Sequence, residues 1–439
     1  MIILIVLLAL ILRLINLDQS FWLDEAIGVL AVKQHSFFDL LTLFVPRDVH
    51  PPLYYLVLDA WDQTTSTLQS NSPGFQEALL RFPSVIFSLG AVFFTYKIGV
   101  LFKRERLGLL AALFLALNPL FVYYSQEARM YTLATLGITG AFYFFLSRQW
   151  LGYFFLLSIA LFADYLPYLM LPVFFFLSQN KKQFILLHLL FFTFFLPWLP
   201  IALNQFSAGA NFARIVPAWG SVVGGISVKS LLLVPVKFIL GRISFENQWF
   251  YALVVGVSVS YIGLILLRVR EWRLWLWLVL PILSTALISL FVPIFSYYRF
   301  LFVVPAFCLV LALGVEKNRL LSIGVVVISL ASLIYFHLSP QLHREDWRQA
   351  VRGYMEEEEG VALMPSLAQA APIYYYRDNL VVQDKNNVDI TDVHTVYLIR
   401  YVQELFDPQD WLRIKLETSG YRKVEEKWFN GVLVWKYRL

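Results

Sequence analysis

Charged residues are scarce in this 439-residue chain. Asp, Glu, Lys and Arg make up 15% of the sequence, whereas hydrophobic residues make up 59%. A soluble domain normally carries about 25% charged residues, so the composition argues against a water-soluble globular protein and indicates lipid as the solvent. The 39 Phe, 23 Tyr and 13 Trp residues suit a membrane interior and its interfaces.

The chain has a single cysteine and lacks the glycine-rich loops that bind phosphate groups. Cys308 is the only cysteine and lies in an apolar run, which excludes an intrachain disulfide and a Cys-based metal site. The sequence has no Gly-rich phosphate loop, no long-period repeat and no low-complexity segment. The net charge of +5 comes from basic residues in short loops between apolar runs, so it predicts membrane orientation and no nucleic-acid binding.

Apolar runs long enough to form membrane spans recur along the chain. A transmembrane helix needs about 20 apolar residues, and this rule predicts about eleven helices. The predicted spans are 1–16, 81–102, 107–123, 129–146, 150–165, 166–178, 184–203, 249–267, 274–292, 300–315 and 320–337. The first run has no basic segment before it and no small-residue cleavage site after it, so we expect a retained span.

Basic residues predict the orientation of these spans. Lys103, Arg148, Lys181, Arg268 and Lys317 mark loops that alternate with acid-bearing loops, and basic loops face the cytoplasm. We therefore expect a multi-pass protein of the plasma (inner) membrane, with the N-terminus inside and the C-terminus outside.

Three segments on the predicted outer side are longer or richer in polar residues than a simple loop between two spans needs to be. They are 17–80, 204–248, which has partly interfacial character, and the tail from 338. The tail contains charge runs, β-rich stretches and an Asn430–Gly431 pair, which predicts a tight hairpin turn. We predict a transmembrane domain over 1–337 and a small soluble extracytoplasmic α/β domain over 338–439.

Two acids follow the first span directly. Asp24 and Glu25 come just after Trp22, and acids at a membrane edge are often functional, although acids also favour the start of a helix through its dipole. On a helix the two side chains diverge by about 100°. We therefore expect one to face the reaction and the other a structural partner.

Asp48, His50 and Tyr54 lie later in the same predicted outer segment, around Pro51 and Pro52. The prolines suit the first turn of a helix. They do not explain Asp48 and His50, which would lie just before that helix at the membrane surface. We interpret the three residues as candidates for substrate binding.

Further polar residues are predicted beside aromatic rings on the outer side. Arg81 would begin span 2, where it is either a snorkelling anchor or a phosphate ligand. Glu127 and Arg129 lie in the next outer turn and could simply pair with each other. Tyr298 and Arg299 lie in a later one.

These motifs together resemble a known family. Asp24-Glu25, His50-Pro51-Pro52-Leu53-Tyr54-Tyr55, Arg81 and Glu127-Ala128-Arg129-Met130-Tyr131 are similar to bacterial members of the protein O-mannosyltransferase superfamily. That superfamily is glycosyltransferase family 39 and its relatives, including the aminoarabinose transferases of lipid A. The likeness covers residues 10–315, and Arg344-Glu345-Asp346-Trp347-Arg348 resembles the segment after the last span.

The resemblance implies a GT-C fold, a polyprenyl-phosphate-sugar donor and a catalytic base in the Asp24–Glu25 pair. The sequence departs from it at His50, where aminoarabinose transferases tend to have Lys, and at Asp164-Tyr165, where many relatives have His-Tyr. The resemblance therefore does not identify the sugar or the acceptor of this chain. The acceptor could be a lipid, a glycan or a protein.

The residue types fit sugar transfer from a lipid phosphate. The departing phosphate needs cations, for which Arg81, Arg129, His50 and Arg299 are candidates, and the acceptor hydroxyl needs a base, for which we favour Asp24. Attack opposite the phosphate would invert the anomeric centre. No nucleotide is needed for this chemistry, and the residue types identify no cofactor with certainty; a divalent cation is the one candidate.

Three other functions compete with this one. In a metal-dependent, oligosaccharyltransferase-like enzyme, Asp24, Glu25, Asp48 and His50 would bind a divalent ion. A flippase or transporter of lipid-linked sugars would show broken helices and mid-membrane charges. A non-catalytic membrane scaffold would have no need of acid-rich outer loops.

The predicted orientation is tested with a reporter fused after Leu439. The alternation of basic and acidic loops predicts that a reporter active only outside the cytoplasm will be active there. Activity of a cytoplasm-specific reporter alone would reverse the orientation.

Overall fold

The computed structural model describes residues 1–68, 72, 74–102, 104–215, 224–356 and 358–439. Lys103, which the sequence analysis placed in a basic loop, lies outside the described residues. So do residues 216–223 of the predicted interfacial segment.

The chain divides into two units that are not continuous in sequence. Unit 1 consists of Met1–Leu17, His35–Thr64 and Arg81–Leu338, and unit 2 consists of Asp18–Gln34, Thr65–Leu80 and Ser339–Leu439. The last segment of unit 2 begins at Ser339, one residue after the start predicted for the tail domain, and the tail as a separate soluble domain stays a prediction. Two pieces of the predicted outer segment 17–80, however, belong with the tail.

Hydrogen bonds within unit 2 explain why these pieces belong with the tail. The Tyr376 hydroxyl accepts from the Ser20 hydroxyl at 3.1 Å and from the Phe21 N–H at 2.9 Å, and it donates to Glu77 Oε1 at 2.9 Å. Arg348 donates to the same Glu77 oxygen at 2.6 Å. Such contacts join residues far apart in sequence, so neither composition nor periodicity predicts them.

Helices of six or more residues are labelled in chain order. They are α1 (Ile2–Leu14), α2 (Leu23–Gln34), α3 (Leu53–Thr65), α4 (Phe75–Leu101), α5 (Glu105–Leu117), α6 (Pro119–Ser125), α7 (Tyr131–Leu146), α8 (Trp150–Ala163), α9 (Met170–Leu177), α10 (Lys181–Phe195), α11 (Leu199–Ile215), α12 (Val228–Leu240), α13 (Gln248–Leu266), α14 (Trp272–Ile288), α15 (Val304–Val315), α16 (Arg319–Leu338), α17 (Ala371–Tyr376) and α18 (Trp411–Thr418). Shorter helical turns lie at Phe37–Asp39, Leu40–Phe44, Val45–Arg47, Ser66–Leu68, Leu166–Leu169, Leu196–Trp198, Tyr297–Val303, Pro340–Leu342, Trp347–Ala350, Val351–Met355, Leu367–Gln369 and Gln403–Phe406.

Each predicted apolar run contains an apolar helix. In the described part of the chain, five helices are long and apolar enough to cross a membrane, namely Phe75–Leu101, Lys181–Gly209, Gln248–Leu266, Tyr297–Val315 and Arg319–Leu338. The pair α5–α6, bent by 61°, would make a sixth. The other runs form helices of 10–17 residues. The chain is thus a multi-pass membrane protein by helix length and composition, and a total of eleven spans stays a prediction.

The bend between α5 and α6 has a local cause. Pro119 opens α6 and has no N–H to continue the ladder of α5. Asn118 then caps α6, because its Oδ1 accepts from the Phe121 N–H at 2.9 Å, while its Nδ2 donates to the Phe238 carbonyl at 2.8 Å.

Unit 2 contains a five-stranded mixed sheet. Its strands are β1 (Val361–Leu363), β2 (Val382–Gln383), β3 (Thr395–Ile399), β4 (Arg422–Phe429) and β5 (Val432–Arg438), in the order β2-β1-β3-β5-β4. β1, β2 and β3 are parallel, and β5 runs antiparallel to β3 and β4. Tyr397 and Ile399 pack in one hydrophobic cluster, and Val396 and Leu398 in another. Because side chains alternate along a strand, the central strand is covered on both faces.

The predicted hairpin turn is confirmed. Asn430 and Gly431 join β4 to β5, and Phe429 pairs with Val432 across the turn. Gly431 has a φ of 79°, a conformation that glycine adopts without the steric cost a side chain would bring.

Loss of the Tyr376 hydroxyl should destabilise unit 2. Tyr376→Phe removes the acceptor used by Ser20 and Phe21 and a donor to the buried Glu77, which should cost about 1–3 kcal/mol. Thermal unfolding of the purified full chain should show a lower Tm. The matched control is Tyr374→Phe, since the Tyr374 hydroxyl makes no hydrogen bond in the described ranges. Equal Tm values for the two variants would contradict the structural role of Tyr376.

Candidate functional site

The candidate residues fall into two groups, one in each unit. Asp24 and Glu25 belong to unit 2, and all the others belong to unit 1.

Asp24 and Glu25 lie in the first turn of α2 and have different environments. Glu25 has no exposed surface, and its Oε2 lies 4.0 Å from Nε of the buried Arg344. Asp24 is only partly buried. Glu25 is therefore the buried member of the pair, beside a buried guanidinium, and Asp24 is the accessible one.

A third acid, Glu345, lies beside Asp24. Its Oε2 accepts from the Trp347 indole N–H at 2.8 Å, and its Oε1 accepts from the Tyr401 hydroxyl at 2.7 Å. Burial raises the pKa of Glu345, and the negative charge of Asp24 raises it further, against the opposing effect of its hydrogen bonds. The sequence analysis noted the segment around Glu345 but gave that residue no role.

In unit 1, Asp48 organises the loop before α3. Its Oδ2 lies 3.0 Å from Nδ1 of His50, and it accepts from the Tyr55 hydroxyl at 2.6 Å. Burial by itself would raise the pKa of Asp48. The contacts with His50 and Tyr55 and the positive charge of Arg129 outweigh that effect, so the pKa lies well below its usual range.

His50 bridges this carboxylate and a cation. Its Nδ1 faces Asp48, and its Nε2 lies 3.4 Å from Nη2 of Arg129. The imidazole is thus aligned between an anion and a cation.

Gln205 of α11 holds the same loop from the other side. Its Nε2 donates to the carbonyls of Val45 and His50 at 2.5 and 3.2 Å, and its Oε1 accepts from the Tyr165 hydroxyl at 2.6 Å. The sequence analysis missed Gln205, since a single amide in an apolar helix carries no distinguishing pattern.

Arg81 and Tyr54 support this region from inside the fold. α4 begins at Phe75, so Arg81 lies within the helix and not at its start; it has no exposed surface, and its Nη1 donates to the Leu17 carbonyl at 2.8 Å. This contact holds the guanidinium against the chain just after α1, and the phosphate contact expected for Arg81 stays a prediction. Tyr54 is also buried, with its hydroxyl 3.2 Å from Oγ of Ser84.

Glu127 and Arg129 occupy the turn between α6 and α7. Both are almost fully buried, and the Arg129 N–H donates to the Glu127 carbonyl at 2.8 Å. The negative charge of Glu127 acts on Arg242. Arg129 thus supports His50 from within the turn, and Glu127 contributes negative charge near a second, more accessible cluster.

That second cluster combines tyrosine rings with cations. Tyr298 stacks on Tyr124 with ring centroids 5.7 Å apart. The guanidinium of Arg242 lies 4.6 Å from the centroid of the Tyr123 ring, and its Nη1 donates to the Tyr123 hydroxyl at 2.6 Å. Arg299 lies 6.0 Å from the Tyr298 ring. Cations at such distances are attracted to the faces of the rings.

Lys237 is the third cation of this cluster, with Nζ 5.9 Å from the centroid of the Tyr297 ring. Burial, together with the nearby charge of Arg242, lowers the pKa of Lys237 to about 8. Lys237, Arg242 and Arg299 all keep solvent-exposed surface, and none of them forms an ion pair within the part of the chain that the structure describes. Lys237 and Arg242 are close enough for their charges to interact, and cations placed so close together favour an anionic ligand.

The sequence analysis did not select Lys237 and Arg242 as site residues, because they fall in a segment interpreted as interfacial helix. A cation on an apolar, membrane-facing helix looks like an anchor until its neighbours are known. Their proximity to Tyr123 and Tyr297, which are distant in sequence, is what distinguishes them.

Metal coordination has no ready set of ligands in the described ranges. No group of three or more His, Cys, Asp or Glu side chains there could hold a metal ion.

Comparison with known proteins identifies the fold. No protein-family model matches the chain, and no curated protein matches it. ArnT from Cupriavidus metallidurans is similar in structure, with a TM-score of 0.55 in the apo state and 0.58 bound to undecaprenyl phosphate, at 12% and 11% identity. Each comparison covers 99% of this chain and 97% of ArnT.

The archaeal oligosaccharyltransferase AglB from Archaeoglobus fulgidus, solved with an inhibitory peptide and a dolichol-phosphate, is also similar. Its TM-score is 0.52 at 12% identity, over 99% of this chain and 74% of AglB. At such identities the likeness shows the fold. This chain has the fold of the GT-C glycosyltransferases, and the resemblance inferred from its motifs is confirmed at that level.

Proposed function

We propose that this chain, which has the GT-C fold, transfers a sugar from a polyprenyl-phosphate-linked donor to a hydroxyl group of an acceptor. The observation that carries the proposal is the cluster of Lys237, Arg242 and Arg299, three accessible cations beside tyrosine rings. Structures of the same fold have been solved with undecaprenyl phosphate and with a dolichol-phosphate, which supports a lipid phosphate as the anion.

Transfer of a sugar from a lipid phosphate depends on cations around the leaving phosphate more than on an acid that protonates it. When the bond between the anomeric carbon and the phosphate oxygen breaks, the polyprenyl phosphate leaves with the electron pair. Cations preorganised around the phosphate stabilise that developing charge, so no protein acid has to protonate it. Lys237, Arg242 and Arg299 would bind the phosphate. His50 and Arg129 would order the loop before α3.

The acceptor hydroxyl must lose its proton as its oxygen bonds to the anomeric carbon. We assign that proton to Asp24, because Asp24 is accessible whereas Glu25 is buried against Arg344. Attack opposite the leaving phosphate would invert the anomeric configuration. The basic loops favour a reaction on the extracytoplasmic side, and the acceptor would be a lipid, a glycan or a protein.

Loss of a cation from the cluster should weaken binding of a lipid phosphate. Arg242→Gln removes a charge-assisted contact, so the Kd for undecaprenyl phosphate in detergent micelles should rise about 10- to 100-fold. The matched control is Arg106→Gln, which removes an exposed arginine outside the cluster. Equal affinities in the two variants would remove Arg242 from the site.

Binding should also depend on pH through Lys237. A lysine is half charged at its pKa, so the Lys237 contribution is complete well below pH about 8 and is lost as pH rises through that value. The Kd of the wild-type chain should therefore rise over that range, and Lys237→Arg, which stays charged, should abolish the rise. An identical pH profile in both proteins would contradict the assignment of Lys237.

Replacement of the proposed base should abolish transfer and spare binding. Asp24→Asn keeps the size of the side chain but removes the proton acceptor, and a positioned base contributes a factor of about 10² to 10⁴. The assay uses a panel of hexose and pentose conjugates of undecaprenyl phosphate as donors and a cell-envelope extract as acceptor. The rate of undecaprenyl phosphate release should fall by that factor, and the Kd for undecaprenyl phosphate should stay unchanged. Near wild-type turnover by Asp24→Asn would exclude Asp24 as the base.

A further inference from the structure

Helix α2, which carries Asp24 and Glu25, has an unusual N-terminus. The first N–H groups of a helix have no partner within the helix and are commonly satisfied by a Ser, Thr, Asp or Asn just before it. Here the preceding residue is Trp22, whose indole can donate a hydrogen bond but cannot accept one. The local sequence therefore supplies no cap at that position.

Glu345, from the segment after the last span, lies at this end of α2. Its carboxylate takes a backbone hydrogen bond from Leu23, the first residue of the helix, and it is close enough to Asp24 for their charges to interact. The same carboxylate accepts from Trp347 and Tyr401. A carboxylate is also the charge that a helix N-terminus favours.

The position of Glu345 is itself fixed by the β4–β5 hairpin. Asn430 Nδ2 donates to the carbonyls of His343 and Arg344 at 3.0 and 2.9 Å, and the Asn430 carbonyl accepts from the Asp346 N–H at 2.9 Å. A Cβ on Gly431 would lie only 2.9 Å from Cγ of Glu345. The turn therefore holds the segment on both sides of Glu345 and packs against its side chain.

We propose that Glu345 is a positioning residue for the transfer reaction, which fixes the first turn of α2 and thereby the direction of the Asp24 carboxylate. The inference rests on the proposed function, because it requires Asp24 to be the base. It gives the hairpin and sheet of unit 2 a part in catalysis, since the turn at Asn430–Gly431 sets the position of Glu345. No atom of Glu345 takes part in the bond exchange.

The test is a double-mutant cycle on the full-length purified chain. Glu345→Gln keeps the shape but places an amide N–H₂ where a donor already lies, so α2 should shift. We expect kcat with the panel of undecaprenyl-phosphate sugars to fall at least about tenfold and the Kd for undecaprenyl phosphate to stay unchanged. In an Asp24→Asn background the same change should have no further effect, because a residue that acts through Asp24 has nothing left to position.

The matched control is Glu426→Gln, which removes an exposed acid of the same unit that pairs with Lys423. It should leave kcat unchanged. If Glu345→Gln lowers kcat by the same factor with and without Asp24, Glu345 acts independently and the inference is overturned. If Asp24→Asn alone is fully active, Asp24 is not the catalytic base, and the proposed function is wrong in that assignment.

A gentler variant covers the case in which Glu345→Gln does not fold. Tyr401→Phe removes one donor to Glu345 and leaves the Tyr401 ring on Trp347, where the centroids are 5.1 Å apart. We expect a fall in kcat of about two- to tenfold, the range for one hydrogen bond, and no fall in the Asp24→Asn background. Undiminished kcat in a folded Tyr401→Phe enzyme would overturn the inference.

Discussion

The structure depends first on the constraint that lipid cannot satisfy polar groups. In a hydrocarbon interior every backbone N–H and C=O must be paired within the protein, so the apolar runs form helices, and charged side chains are tolerated only with partners. Arg13 of α1 follows this rule. It is fully buried, and it donates to the Ala9 carbonyl at 2.9 Å, to the Ala116 carbonyl at 3.2 Å and to Ser125 Oγ at 3.2 Å.

Lys237, Arg242 and Arg299 follow the rule in another way, since their partners are neutral groups: Arg242 donates to the Tyr123 hydroxyl and Lys237 to the Ile243 carbonyl. They lie in the unit that contains the apolar helices, they keep accessible surface, and no carboxylate pairs with them in the described residues. Tyrosine rings lie beside them and attract cations without neutralising them. The negative charges of Glu127 and Asp164 act on Arg242 and Arg299 without forming an ion pair with them. A site that must bind a phosphate reversibly needs such cations, because a carboxylate paired with them would compete with the ligand. The carboxylates proposed for the reaction belong to unit 2, where Asp24, Glu25 and Glu345 differ in burial and partners.

Local signals in the sequence predicted local features well. Hydropathy located each apolar helix, the Asn-Gly pair predicted the β4–β5 turn, and the motifs around Asp24, His50 and Glu127 indicated the GT-C fold. The helical period also predicted that Asp24 and Glu25 point in different directions. These signals are contained in short windows of sequence, so no tertiary contact was needed to interpret them.

Tertiary contacts determined what local signals could not. Residues 18–34 belong to unit 2 through contacts such as those of Tyr376 with Ser20 and Phe21, and Arg81 is buried within α4. Lys237 and Arg242 became site candidates only through their proximity to Tyr297 and Tyr123. In each case the deciding partner lies many residues away, and no periodicity or composition links the two positions.

The central claim is that the chain breaks the bond between a sugar and a polyprenyl phosphate. In the most direct measurement, the purified chain in liposomes is incubated with undecaprenyl-phosphate-linked sugars and a cell-envelope extract. The reaction is followed by mass spectrometry and by NMR of the product. We expect release of undecaprenyl phosphate together with an equal amount of a new glycoside of inverted anomeric configuration. An intact donor that has only moved between the two leaflets would contradict it and would make the protein a flippase.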